Sequence, residues 1–289
     1  MNDELLIDKR LARRSFEHAA ASYDAAAVLQ NEVCRRALER LDYIRHEPRS
    51  ILDAGSGTGN ALAALARRYP GARLIALDIA LAMLQRARGR MPWWKKLLLR
   101  RAPAAVCADI ERLPLADAAV DMVWSNLALQ WVNDVERTFA EMQRVLAPGG
   151  LLMFSTFGPD TLKELRAAYR GADRHTHVNR FIDMHDIGDM LVRAGFADPV
   201  MDMEIFTLTY AEVRDLMRDL KAIGAHNVTR GRPAGLSGKA QLMAVTRSYE
   251  TLRRDGRLPA TFEVVYGHAW KPRPRPTGRP VIEIKEVRL

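Results

Sequence analysis

The stretch Ile51 to Asn60, ILDAGSGTGN, joins an apolar run to an acid, Asp53, and three alternating glycines, Gly55, Gly57 and Gly59. A glycine turn after a strand and before a helix lets backbone N–H groups approach a ligand that a Cβ would block. The same residues also suit a plain strand-to-helix turn, and their spacing differs from the GxGxxG of dinucleotide sites. Neighbouring strand ends therefore have to decide. The second strand, ARLIALD, ends in Asp78, where a carboxylate can accept hydrogen bonds from two ribose hydroxyls. The third runs into CADIERLPL, setting Asp109, a partner for an adenine amino group, beside Ile110, an apolar neighbour for its ring. The fourth, in VWSNLALQWV, delivers Asn126 to the same edge. Each residue alone reads equally well as a loop acid or a helix cap. Four consecutive strand ends with ligand-type residues point to a nucleoside held at the carboxyl edge of an open α/β sheet.

Alternating elements must position these residues. Apolar runs at Ile51 to Ala54, Arg73 to Leu77, Ala104 to Cys107, Val120 to Trp124 and Leu151 to Ser155 read as buried strands. Helical segments at Ala61 to Arg68 and Val135 to Leu146 lie between them, and LAPGGLL stops one helix and opens the next strand. This rhythm is that of an α/β, mostly parallel sheet with helices on both faces. Phe16, Ala19, Ala20, Tyr23, Ala27, Gln30 and Val33 share one face of a helical lead-in, which Ser22 and Asp24 can interrupt. Beyond the core, helices are expected at Asp183 to Ala194, Glu212 to Ile223 and Gly238 to Arg254. Strands are expected at Met203 to Tyr210 and across ATFEVVYGHAW, with the two helices between them forming an added helical lid.

The 289 residues, 48% of them hydrophobic, can bury one large core. One domain over residues 1–271 is expected: a lead-in at 1–48, a core at 49–160 and an acceptor-side and lid region at 161–271. The basic, proline-rich segment 272–289 reads as an extended tail. Cys34 and Cys107 have no second ligand at metal spacing, so neither a disulfide framework nor a metal is expected. With no apolar leader and no membrane span, a cytoplasmic location is expected. The net charge of +9 favours acidic partners. WWKKLLLRR at Trp93 to Arg101 reads as a solvated amphipathic helix, and nucleic acid ranks low without further interleaved aromatic and basic elements.

LDAGSGTG, ALD, ADIERLPL and VLAPGGLL together resemble the class I S-adenosylmethionine-dependent methyltransferases over roughly residues 50–157. The resemblance implies a Rossmann-like fold with a seven-stranded sheet and S-adenosylmethionine as cofactor. It implies that Asp53, Gly55 and Gly57 hold the methionine end, with Gly59 in the same turn. Asp78 would hold the ribose, Asp109 and Ile110 the adenine, and Asn126 the region near the reacting methyl.

The flanks RSFEHAAASYDAAAVLQ, FSTFGPDTLKEL, HVNRFIDMHDIGDML, LMRDLKAIGAHNVTRGR and FEVVYGHAW are similar to the malonyl-acyl-carrier-protein O-methyltransferases of biotin synthesis. MPWWKKLLLRR and the residues beyond Pro272 depart from that pattern. The implied acceptor is the free carboxylate of malonyl-acyl carrier protein, an acidic partner. Such a carboxylate is already ionised near neutral pH, so the site needs alignment more than a general base. Tyr23 is the candidate catalytic residue, with a packed core aromatic as the alternative. Arg180 and Lys221 are candidate contacts to the carboxylate or the carrier arm, or else solvated charges. Gln130 and Trp131 are candidate pocket walls. Another small-acid or quinone-like acceptor, or a cofactor-binding respiratory-complex assembly factor, remains open.

Overall fold

The computed structural model describes residues 6–90, 103–170, 178–179, 181–225, 227–231 and 238–274. Its centre is one seven-stranded sheet of order β3-β2-β1-β4-β5-β7-β6. The strands are β1 Ser50–Ala54, β2 Arg73–Asp78, β3 Ala104–Cys107, β4 Val120–Asn126, β5 Leu146–Phe157, β6 Ala197–Tyr210 and β7 Leu258–Trp270. Strands β1 to β5 pair in parallel, and β7 runs antiparallel to both β5 and β6.

Alternation along each strand supplies two cores. Ile51, Trp124 and Met153 face one layer, which holds Leu29 and Val33 of helix α3 (Val28–Arg40) and Leu65 of α4 (Leu62–Arg68). Leu52, Val123 and Leu152 face the other, against Phe139 and Met142 of the helix Val135–Val145 and Leu191 of the helix Met184–Arg193. One expectation needs correction: Ala104, Ala105 and Cys107 of β3 are exposed, because β3 lies at the sheet edge.

The lead-in is α1 (Lys9–Ala19), the short α2 (Tyr23–Ala26) and α3. Asp8 caps α1 by accepting from the Arg10 and Leu11 amides, and α1 buries Ala12, Ser15 and Ala19 while exposing Arg10, Arg13 and Arg14. The two late helices, Val213–Ala222 and Lys239–Glu250, bury Val213, Leu216, Val245 and Tyr249 in the first core. They are a packed layer of the body, and the first of them braces the turn into α2, where the Ser22 hydroxyl donates to the Ala222 carbonyl at 3.1 Å.

After β7, the Lys271 amide donates to the Gly150 carbonyl at 2.9 Å, and the Gly149 amide donates to the Lys271 carbonyl at 2.8 Å. The chain therefore follows β5 as far as Lys271. Residues 275–289 and the segment Trp93 to Arg101 lie outside the described residues. Among the described residues no helix is long and apolar enough to cross a membrane, and no cluster of three metal-ligating side chains occurs.

Candidate functional site

The glycine turn follows from where β1 stops. The Gly55 and Ser56 amides donate to the Leu77 carbonyl at 2.8 and 2.9 Å, tying the turn to the end of β2. Gly55, Gly57 and Gly59 take φ of +81°, +54° and +79°, a region that side chains disfavour. Their surroundings differ. A Cβ on Gly55 would strike Ala128, and one on Gly59 would come within 2.8 Å of the Ala87 Cβ and 2.9 Å of Leu62. A Cβ on Gly57 would meet no protein atom within 4 Å. Only Gly55 and Gly57 line the cleft; Gly59 is a packing glycine, a correction to the expected cofactor contact.

Two cavities open from this turn. The larger, about 670 Å³, is walled by Asp78 and Ile79 after β2, Ala108 to Ile110 after β3 and Leu127 and Ala128 after β4, with Lys9, Ala12 and Phe16 of α1 as its roof. The smaller, about 380 Å³, lies among Gln30, Asn31, Cys34, Asp53, Ser56 and Trp124. Tyr23, Gly55, Gly57 and Asn126 line both, so the cavities meet there.

Asp78 is buried and held by the chain itself, with one carboxylate oxygen accepting from the Gly57 amide at 2.9 Å and the other from the Ala80 amide at 2.8 Å. Burial pushes its pKa up to about 6, the backbone N–H groups opposing that rise. Asp53 is deeper. Burial, with the Asp78 charge adding to it, pushes Asp53 up to about 8, and its Oδ2 has no hydrogen-bond partner. The Ser56 hydroxyl and the Trp124 indole nitrogen are likewise buried without partners. Three orphaned polar atoms around one small cavity suit a compact polar ligand group, since such atoms are costly unless bonded. A carboxylate with two N–H or O–H donors matches an ammonium and a carboxylate, the two charges of an amino-acid end.

Tyr23 sits between the cavities, and burial together with the nearby Asp78 and Asp24 carboxylates holds its phenol well above the usual range. It is a hydrogen-bond donor near neutral pH and no base. Asn126 is fixed by the Ser155 hydroxyl donating to its Oδ1 at 2.8 Å, while its own amide donates to the Gln30 carbonyl at 3.3 Å. Leu127, next in the chain, takes a φ of +50°, a strained turn that carries the backbone away from β4.

Of the remaining expected residues, Asp109 and Ile110 line the larger cavity, and Asp109 is paired with Lys9 at 3.0 Å. Trp131 lines it too, edge-on to Phe16 with ring centroids 5.0 Å apart. Gln130 departs from expectation. Its amide donates to the Leu127 carbonyl at 2.7 Å, and it lines a separate apolar cavity of about 390 Å³ with Phe157, Phe181 and Ile187. Lys221 is exposed in the last turn of its helix and lines none of the three cavities, because the apolar face of that helix is turned to the core. Arg180 lies outside the described residues.

Sequence reasoning missed Lys9 and Glu17. Lys9 also pairs with Glu111 at 3.1 Å, and the Glu17 carboxylate accepts from the Leu81 and Ala82 amides at 2.7 and 2.9 Å, capping the helix α5 (Leu81–Arg90). These contacts fasten both ends of α1 across the cleft. Their local signal is only that of charges on an amphipathic helix.

A sheet of this order, with a glycine turn after β1 and an acid closing β2, defines a class I methyltransferase α/β protein. Residues 52–154 match the family described as "Methyltransferase domain". A crystal structure of a putative methyltransferase from Bacillus halodurans has the same fold at a TM-score of 0.56 and 20% identity, covering 81% of this chain and 97% of that one. The malonyl-[acyl-carrier protein] O-methyltransferase of Gallionella capsiferriformans is 62% identical over 273 residues, 94% of each chain. That of a Methylovorus species is 59% identical over 273 residues, 94% of this chain and 92% of that one. The chain belongs to the malonyl-[acyl-carrier protein] O-methyltransferase family. Its cofactor is S-adenosylmethionine, which the donor set fits: Asp78 and Ile110 suit a nucleoside, while Asp53, Ser56 and Trp124 suit an amino-acid end.

Proposed function

We propose that this protein transfers a methyl group to the free carboxylate of malonyl-acyl carrier protein, giving the methyl ester that enters biotin synthesis. The supporting observation is the junction of the two cavities at Tyr23, Gly55, Gly57 and Asn126. When bound, the cofactor supplies an electrophilic methyl on a positively charged sulfur located between its nucleoside and amino-acid ends.

Asp78 accepts from the ribose, Ile110 packs on the adenine and Asp109 faces its amino group. Asp53 holds the ammonium, and Ser56 and Trp124 donate to the carboxylate of the amino-acid end. The open space above Gly57 admits the cofactor against the backbone. Tyr23, protonated, donates to the incoming malonyl carboxylate and orients one of its oxygens toward the methyl. Asn126, held from two sides, fixes the opposite wall, and Trp131 with Phe16 keeps water out. No histidine lines either cavity among the described residues, consistent with a nucleophile that arrives already ionised. Arg180 remains a proposed contact to the acceptor anion, and α1 with α2 is the proposed cover of the site. A single domain over residues 1–271 and a cytoplasmic location belong to the same reading.

Incubation with labelled S-adenosylmethionine and malonyl, succinyl or free carrier protein tests the reading. The expected result is a gain of one methyl confined to the malonyl form. Equal labelling of all three, or none, would overturn it.

A further inference from the structure

The roof of the larger cavity is a helix with two different faces. Lys9, Ala12 and Phe16 of α1 line the cavity, whereas Arg10, Arg13 and Arg14 point to solvent. The only acid in α1, Glu17, is turned inward to the Leu81 and Ala82 amides, so it leaves Arg10 and Arg14 without an ion pair among the described residues and reaches Arg13 at only 3.7 Å. Two more exposed cations extend the row. Arg230 flanks the start of α1, its amide donating to the Leu6 carbonyl at 2.9 Å. Lys221 flanks the far end, just before Gly224, where a Cβ would come within 3.1 Å of Phe16 and 3.3 Å of Ala19. Neither forms an ion pair among the described residues.

We infer that this row, Arg230, Arg10, Arg13, Arg14 and Lys221, is the surface on which the acidic carrier protein docks to present its malonyl arm. The inference rests on the proposed substrate and adds where that substrate is received. Five exposed cations on and beside α1, with Arg13 alone near an i,i+4 acid, form a positive field that a helix face fully balanced by acids would lack. The field favours an acidic protein and speeds its encounter. The location suits delivery as well. One helix thickness, about 10 Å, separates the cations from the cavity, and Tyr23 follows α1 directly in the chain. The row carries no exposed aromatic side chain to stack on bases or to enter a bilayer interface, which favours a protein over nucleic acid or a membrane.

The test compares two malonyl thioesters, on the carrier and on pantetheine, using wild type, Arg10→Glu/Arg14→Glu and the milder Arg10→Gln/Arg14→Gln. Arg67→Glu/Arg73→Glu, exposed on α4 and at the start of β2, is the control. For the carrier substrate at low salt, kcat/KM should fall about tenfold or more in the reversal variant, less in the neutral one, with a flatter salt dependence. Turnover of malonyl-pantetheine, cofactor affinity and melting temperature should stay within about twofold or a few degrees. Carrier binding by calorimetry should weaken in parallel. Unchanged carrier kcat/KM, or an equal loss with pantetheine, overturns the docking surface. So does a row that binds anionic vesicles or DNA while carrier binding is unaffected by the reversal. If wild type methylates neither thioester, the substrate reading fails on its own, and the calorimetric comparison still decides the docking surface.

Discussion

The two halves of the cleft are built differently. The cofactor half consists of strand ends and the turn after β1, fixed by backbone groups at the ends of the adjoining strands β1 and β2: Asp78 by the Gly57 and Ala80 amides, the glycine turn by the Leu77 carbonyl. The acceptor half is assembled from distant segments, α1 and α2 over Trp131 and Asn126, with Phe16 of the lead-in meeting Trp131 edge-on. The first half is a rigid socket; the second is held by side-chain contacts that one substitution can release.

The most severe break should come in the socket. Gly57→Val puts a branched side chain into the open space at a φ of +54°, and cofactor affinity should fall at least about 100-fold, measured by calorimetry. An unchanged affinity would remove the turn from the cofactor site.

In the acceptor half the opposite separation is expected. Tyr23→Phe should lower single-turnover methyl transfer by about 10- to 100-fold, while cofactor affinity stays within about threefold, because only alignment is lost. Full activity would return Tyr23 to core packing.

Asp53 gives the comparison a pH signature. With its folded pKa near 8, it must lose a proton to hold an ammonium, so cofactor affinity should rise between about pH 6 and 8 and level off above. Asp53→Asn should bind more weakly and lose that dependence. Stability of the cofactor-free protein has the reverse sign. Between the unfolded value of about 4 and the folded value near 8, the folded state binds more protons, so stability falls as pH rises through that window. Asp53→Asn should flatten this fall in a denaturation series.

The smallest effect belongs to the fastening of α1. Lys9→Met removes its pairs with Asp109 and Glu111, both partly solvated, so the cost should be about 1 kcal/mol or less, read as a melting shift of a few degrees at most. Cofactor release by stopped flow should quicken a few-fold. A release rate equal to wild type would separate the fastening of α1 from cofactor exchange.

Much of this was legible in the sequence, for local reasons. A strand followed by glycines and closed by an acid at the next strand end can be read because period-2 and period-3.6 patterns place those residues at one edge whatever packs around them. Resemblance to a known family carried the finer roles of Asp53 and Asn126. Other positions needed the tertiary structure. Gly59 belongs to the same motif as Gly57, yet it packs on Ala87, a neighbour that only the placement of α5 supplies. The orphaned Ser56 and Trp124 atoms, the inward turn of Glu17 and the diversion of Gln130 into another cavity depend on contacts between remote segments. Sequence spacing determines which face of an element a side chain occupies. What stands opposite that face is decided only when the chain closes around it.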